Sequence, residues 1–202
     1  MKVSPLPAAP GQDEHPALDL ANTVVVLPGG RQVDLLGSPH DATRWLVARA
    51  LAPESVELQQ VCTSMLHSMR DPVRQLLAAA AERSVPPAQA VDAVNDALTA
   101  VPAAALLRWD GTAGPRRVNA HPVTQVVEHA LAVVAADAAE LVTGPESDRI
   151  AACAATPCDR YLLRTHARRH WCSTRCGDRV RAARAYARRV GRADHQLSAA
   201  GP

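Results

Sequence analysis

Residues 149–192 read RIAACAATPCDRYLLRTHARRHWCSTRCGDRVRAARAYARRVGR, in which four cysteines spaced C-x4-C-x13-C-x3-C give way to arginines. Two close pairs of thiolates separated by a short span can converge on one tetrahedral Zn2+. A segment of this length buries too little apolar surface to fold alone. Structural zinc adds roughly 10–16 kcal/mol of apparent binding energy in small finger peptides, and there binding energy is folding energy. The spacing therefore predicts a small C-terminal zinc finger over 145–192, with Cys153, Cys158, Cys172 and Cys176 as ligands to one structural Zn2+. Two alternatives stand beside it: reduced, unligated cysteines in a helical tail, or His166 or His170 replacing one thiol. The all-cysteine set is preferred because four thiolates close the coordination sphere and leave histidine free. A closed sphere has no position for a catalytic water, and the chain has no HExxH. Pro157-Cys158 begins a zinc-deaminase motif, but Tyr161 stands where its second cysteine belongs. The chain is not expected to be an enzyme.

The arginines are the second constellation. Lysine occurs once, at Lys2, so arginine carries nearly all the positive charge. The formal net charge of +2 conceals a balance of −7 over residues 1–159 and +9 over 160–202. Such a split points to a basic appendage on an acidic body, with nucleic acid, an anionic membrane surface or an acidic protein as its natural partner. If Asp178 to Val190 is helical, Arg181, Arg184 and Arg188 share one face, while Val180, Ala183 and Ala187 share another. A helix fits the DNA major groove, where arginine reads guanine O6 and N7. Arg168 and Arg169, on the loop before Trp171, suit phosphates, and Arg179 adds to the set. The bland alternative is a solvated face enriched in arginine by base composition, some of it offsetting the −2 charge of a tetrathiolate zinc centre. Trp171, next to a ligand, reads as packing that shields the metal.

The rest of the chain reads as a helical body. Phe is absent, so Leu, Val and Ala must fill the core. Residues 1–14 read as a loose, flexible lead-in. Ala17–Leu27 is expected as a strand, Pro28-Gly29-Gly30 as a turn and Arg31–Leu36 as the returning strand. Ser38-Pro39-His40-Asp41 is a helix start, with serine as cap and proline in the first turn. Leu58, Val61, Cys62, Met65, Leu66, Met69, Val73, Leu76 and Leu77 form an apolar stripe at helical spacing, within which Pro72 either kinks one helix or opens a second behind Asp71. A helix is expected over Ala88–Thr99, a short hairpin from Ala105–Asp110 and Arg116–Ala120, and a long helix over Pro122–Val142. The fold class expected is α+β: a predominantly helical N-terminal domain at 15–144 with short β-hairpins, plus the small zinc finger ending in a basic helix. Residues 193–202 are expected as a flexible tail. The N-terminus has no apolar run of signal-peptide length and no stretch spans a membrane, so a cytoplasmic protein with no membrane partner is expected.

These residues carry a resemblance. Arg168-Arg169-His170-Trp171-Cys172-Ser173 and Cys176-Gly177-Asp178-Arg179 resemble the CGNR zinc finger, with aspartate where that family has asparagine. His15–Thr23, ending in Asn22-Thr23, and Asp34–Leu51, with Trp45, resemble the start of the ABATE domain that precedes such fingers. The resemblance implies a bacterial, stress-linked transcription regulator. It implies double-stranded DNA as partner; Asn22, Thr23 and Arg70 match recurrent positions of that domain, for which small-molecule effector binding stands beside the preferred reading of strand-end capping and a core-edge hydrogen bond. A homodimer is expected from need, since one short finger covers few base pairs. The rival reading is an interaction module whose basic finger grips an acidic protein or RNA.

Overall fold

The computed structural model describes residues 7–101, 105–111, 114–119 and 125–199. Met1–Leu6 of the lead-in, Ala120 and the expected helical start at Pro122–Thr124 lie outside the described residues.

The body is built from α1 (Pro16–Ala21), a hairpin of β1 (Val24–Val26) and β2 (Gln32–Asp34), α2 (Pro39–Ala48), α3 (Gln60–Glu82), α4 (Ala88–Thr99), a second hairpin of β3 (Ala105–Asp110) and β4 (Gly114–Asn119), and α5 (Val126–Thr143). The finger adds a third antiparallel hairpin, β5 (Ile150–Ala152) with β6 (Tyr161–Leu163), and then α6 (Thr174–Ala199). The α+β class, helical body and finger ending in a basic helix are as expected.

α3 is the central element, packing against α1, α2, α4, α5 and β5. Its inner face is the stripe read from the sequence: Leu66, Met69, Val73, Leu76 and Leu77 are buried. A single helix runs through Pro72 rather than restarting there. Interior proline costs about 3 kcal/mol, and burying apolar side chains on both sides of it, at roughly 1.5–3 kcal/mol each, outweighs that cost. Ser38 caps α2 as its sequence position demands, its Oγ accepting from the Asp41 amide at 3.2 Å.

The start of the body differs from the sequence expectation. Residues 16–21 are a helix, and only Val24–Val26 extend as a strand. Pro16 suits a first helical turn, and Ala17, Leu18, Leu20 and Ala21 are all buried against α3 and α5. The cap comes from elsewhere in the chain: the Ala17 amide donates to the Asp137 carboxylate on α5 at 2.8 Å. No local pattern signals such a cap.

The lead-in is seated wherever it is described. Ala9 is buried, and the Pro10 carbonyl accepts from the Leu163 amide at 2.9 Å, so this segment runs beside β6. Gly11 adopts φ +82°, and a Cβ there would fall 2.7 Å from Leu163 Cδ1, so only glycine allows the close pass. At the other end α6 continues to Ala199, past Arg192 where the sequence reading ends the finger. The expected second hairpin forms, pairing from Ala105↔Asn119 to Asp110↔Gly114; its return strand starts at Gly114, ahead of the expected Arg116, and Leu107 and Trp109 are exposed.

The finger's hairpin is inset in the body rather than appended to it. Ile150 and Leu163 belong to the main core cluster. Polar side chains lock the seam. The Asn22 amide pairs with the Tyr161 backbone in both directions. Arg74 on α3 donates to the Ala21 carbonyl at 2.6 Å and the Asp159 carbonyl at 2.9 Å, and its guanidinium lies 5.2 Å from the Tyr161 ring centre.

Candidate metal centre and its basic helix

β5 delivers Cys153, a tight turn returns the chain through Cys158, the loop after β6 supplies Cys172, and the first turn of α6 supplies Cys176. Backbone bonds close this knuckle: the Cys153 amide donates to the Arg160 carbonyl at 2.8 Å, the Cys158 amide to Ala155 at 2.8 Å and the Ala154 amide to His170 at 2.9 Å. The four sulfurs lie within 4.8 Å of one another. Cys158–Cys172 and Cys172–Cys176 are 3.7 Å and 3.6 Å apart. A tetrahedral Zn–thiolate site with bonds of about 2.3 Å has sulfur–sulfur edges of about 3.8 Å, so the donor set fits one zinc ion. Cys153, Cys172 and Cys176 are buried and Cys158 half-buried, in a small cluster with Ala9, Ala151, Ala155 and Leu162. Among the described residues neither His166 nor His170 joins the sulfurs; both are exposed. Four thiolates complete the sphere, which makes the site structural.

The surroundings are tuned for thiolate. The Cys172 amide donates to Cys153 Sγ at 3.4 Å. Hydrogen bonds from the Cys158 and Cys172 thiols hold the Cys153 thiol down to about 2, against the effect of burial. The same bond to Cys153 pushes Cys172 up to about 11 and Cys158 well above the ordinary thiol range. Crowded thiols thus share protons unevenly, and a divalent cation makes four thiolates tolerable. Two guanidiniums offset the −2 charge of the loaded site: Arg160 lies 3.9 Å from Cys172 Sγ and Arg179 3.8 Å from Cys176 Sγ. Such contacts orient and neutralise metal ligands.

Arg160 joins the site without any metal-ligand or basic-helix pattern to mark it. It is buried, and its guanidinium also holds the Pro7 carbonyl at 2.9 Å and the Gln12 side chain, tying lead-in to knuckle. Its position two residues after a ligand was the available signal. Arg179, expected at DNA, turns inward instead, donating to the Ala155 carbonyl at 2.6 Å. The sulfur and that carbonyl draw it onto the knuckle.

The remaining expected arginines face outward. Arg168, Arg181, Arg184 and Arg188 are exposed and Arg169 half-buried. Arg181 pairs with Asp178 at 2.6 Å, and its guanidinium lies 5.6 Å from the Trp171 ring centre. Trp171 packs on the cysteine cluster, as expected of a shield. Gly177 lets it in: a Cβ there would stand 3.0 Å from Trp171 Cε3.

Asn22, Thr23 and Arg70, the effector candidates, are each engaged within the protein. Asn22 holds Tyr161, Thr23 Oγ1 donates to the Leu20 carbonyl at 2.6 Å, and Arg70 grips Asp34 in a two-point fork at 2.8 and 2.9 Å.

A buried tetrathiolate knuckle built into a mixed helical body defines a zinc-finger protein. Comparison with family models agrees over nearly the whole chain. Residues 14–145 match the ABATE family, described as "Putative stress-induced transcription regulator", and residues 149–189 match the CGNR zinc finger. The chain belongs to the ABATE family and carries a CGNR zinc finger at its C-terminal side. Neither description is of an enzyme. No curated protein matches the chain. Among the described residues, no helix is long and apolar enough to cross a membrane.

Proposed function

We propose that this protein is a zinc-dependent transcription regulator that binds double-stranded DNA through α6. The observation that carries this reading is the environment of that helix. From Arg181 to Val190 every side chain is exposed except the half-buried Ala185. A helix solvated on nearly all faces has no core to justify it, and it needs a partner to justify its length. The exposed row is cationic: Arg181, Arg184 and Arg188 lie at i, i+3 and i+7, one face by helical geometry. Over residues 160–192 the lone acid, Asp178, is already engaged by Arg181. Alanines between the arginines keep the helix narrow, so the backbone can approach a groove closely. The zinc centre fixes the first turn of α6 through Cys176 and thereby sets the angle at which the helix leaves the body.

Zinc content and duplex binding, measured together on the wild type and Cys172→Ser with selection from random sequence, test the proposal. One zinc per chain with an enriched DNA motif, both lost in the variant, is the expected result. One zinc without sequence preference would move the assignment to a basic module for RNA or an acidic protein. An absence of zinc would remove its foundation.

A further inference from the structure

Beside the knuckle lies a cavity of about 210 Å³ lined by His166, Arg168, Arg169, His170, Trp171 and Arg181, with Ser173, Thr174 and Gly177 behind them. Three arginines and two histidines are among the residues that line it, and no carboxylate residue is. Arg168 makes no hydrogen bond or ion pair with the other described residues. Arg169 donates its Nε to the Trp171 carbonyl at 3.2 Å, a bond that fixes the plane of its fork and leaves both terminal nitrogens toward other partners. Arg181 is held from the far wall by Asp178 and by the Trp171 ring. Like charges brought together around a hollow repel unless something anionic sits there, and rigid guanidinium forks match tetrahedral oxyanions in geometry as well as charge. The site rests on these side chains, not on the end of α6, since the Cys176 amide there is already capped by Ser173 Oγ at 3.3 Å.

We propose that this cavity is a phosphate seat. Arg168 and Arg169 grip the oxyanion, Arg181 closes the third side, and the Trp171 face forms the floor. Its occupant in the DNA complex is a phosphodiester of the backbone. That part of the proposal rests on the DNA reading above, whereas the anion affinity does not. Arg181 both lines the cavity and begins the row continued by Arg184 and Arg188, so one bound phosphate would set the register of that row along the duplex. This gives the finger a positioning contact that carries no sequence information, separate from any base reading by α6.

The test has two arms, both on the zinc-loaded full chain. In the first, inorganic phosphate is titrated while the Trp171 indole N–H is followed by 1H–15N NMR. Saturable movement is expected, weakened at least tenfold in Arg168→Ala/Arg169→Ala. In the second, duplex affinity is measured against salt. Each phosphate contact contributes about 0.9 to the log–log slope, so the double variant should lose about 1.8. Arg168→Ala alone, which breaks no hydrogen bond or ion pair among the described residues, should lose about half as much and serves if the pair disturbs zinc content. Phosphate binding with an unchanged slope would overturn the backbone assignment and leave a site for a free phosphate group. No saturable phosphate response would overturn the seat itself, whatever the slope does. If the wild type binds no duplex, the DNA reading fails while the phosphate titration still decides the cavity.

Discussion

The side-chain amide of Asn22 pairs with the backbone of Tyr161 as another strand would, donating to its carbonyl at 2.9 Å and accepting from its amide at 2.8 Å across 139 residues. Asn22 is buried at the end of α1, and Tyr161 opens β6 of the finger. One asparagine thus joins the first element of the body to the metal-binding hairpin. Asn22→Ala removes both bonds and leaves Tyr161 polar groups unpaired in a buried seam. Urea unfolding should show a loss of about 2–3 kcal/mol. A loss below about 0.5 kcal/mol would show that the seam is held by apolar packing alone.

Because Ile150 and Leu163 sit in the main core, zinc and body should unfold together. Calorimetry of the loaded protein should give one transition. Chelation, or Cys172→Ser, should lower that transition by on the order of 10 °C, since losing several kcal/mol moves a chain of this size by a few degrees each. A finger that melts separately while the body keeps its midpoint would refute this coupling.

Metal retention should weaken as the pH is lowered. Zinc requires all four cysteines as thiolates, and the free cluster keeps protons on Cys158 and Cys172, whose thiols are pushed up by their bonds to Cys153. Binding therefore releases protons, and acid competes with the metal. Competition with a chromophoric chelator between about pH 5 and 8 should show affinity rising with pH. A flat profile would mean that the thiols are ionised before the metal arrives.

Asp34 offers a second pH-dependent term. Burial alone would push its carboxyl up, but hydrogen bonds from Arg70 and the Leu36 amide, with the charges of Arg70 and His67, outweigh this and hold it below its usual value. A depressed carboxyl stabilises the fold above its unfolded value, and the contribution disappears as pH falls through the folded one. Asp34→Asn should thus cost about 2–3 kcal/mol at neutral pH, where it leaves the buried Arg70 without its counter-ion. In urea melts the gap from wild type should narrow below about pH 4; a gap independent of pH would assign the effect to shape.

The arginines should divide into two groups by substitution. Arg184→Ala/Arg188→Ala, both exposed on α6, should leave zinc content and melting temperature unchanged. The pair should weaken duplex binding and lower its salt slope by up to about 1.8. Arg179→Ala should do the reverse, loosening the metal centre through the lost Ala155 and Cys176 contacts. Equal effects of the two changes on DNA would contradict the inward role given to Arg179.

What the sequence determined by itself was whatever depends on short-range spacing. Four cysteines at metal-ligand intervals define the zinc centre. Ser38-Pro39 starts α2, the periodic stripe makes α3, and Gly29 and Gly30 turn the first hairpin. Each of these signals lies within a few residues of its effect. Only the tertiary structure decided the contacts between distant segments. α1 is a helix because Asp137 caps it from α5 and its apolar side chains meet α3 and α5, so a β-branched neighbourhood did not prevail. The lead-in is seated because β6 and Arg160 receive it. Asn22 and Arg70 spend their polar groups on Tyr161 and Asp34, and Arg179 points inward because a sulfur and a carbonyl await it there. A polar side chain carries several donors or acceptors but no address. Its partner is chosen when the chain packs, by the cost of leaving a buried polar group unpaired.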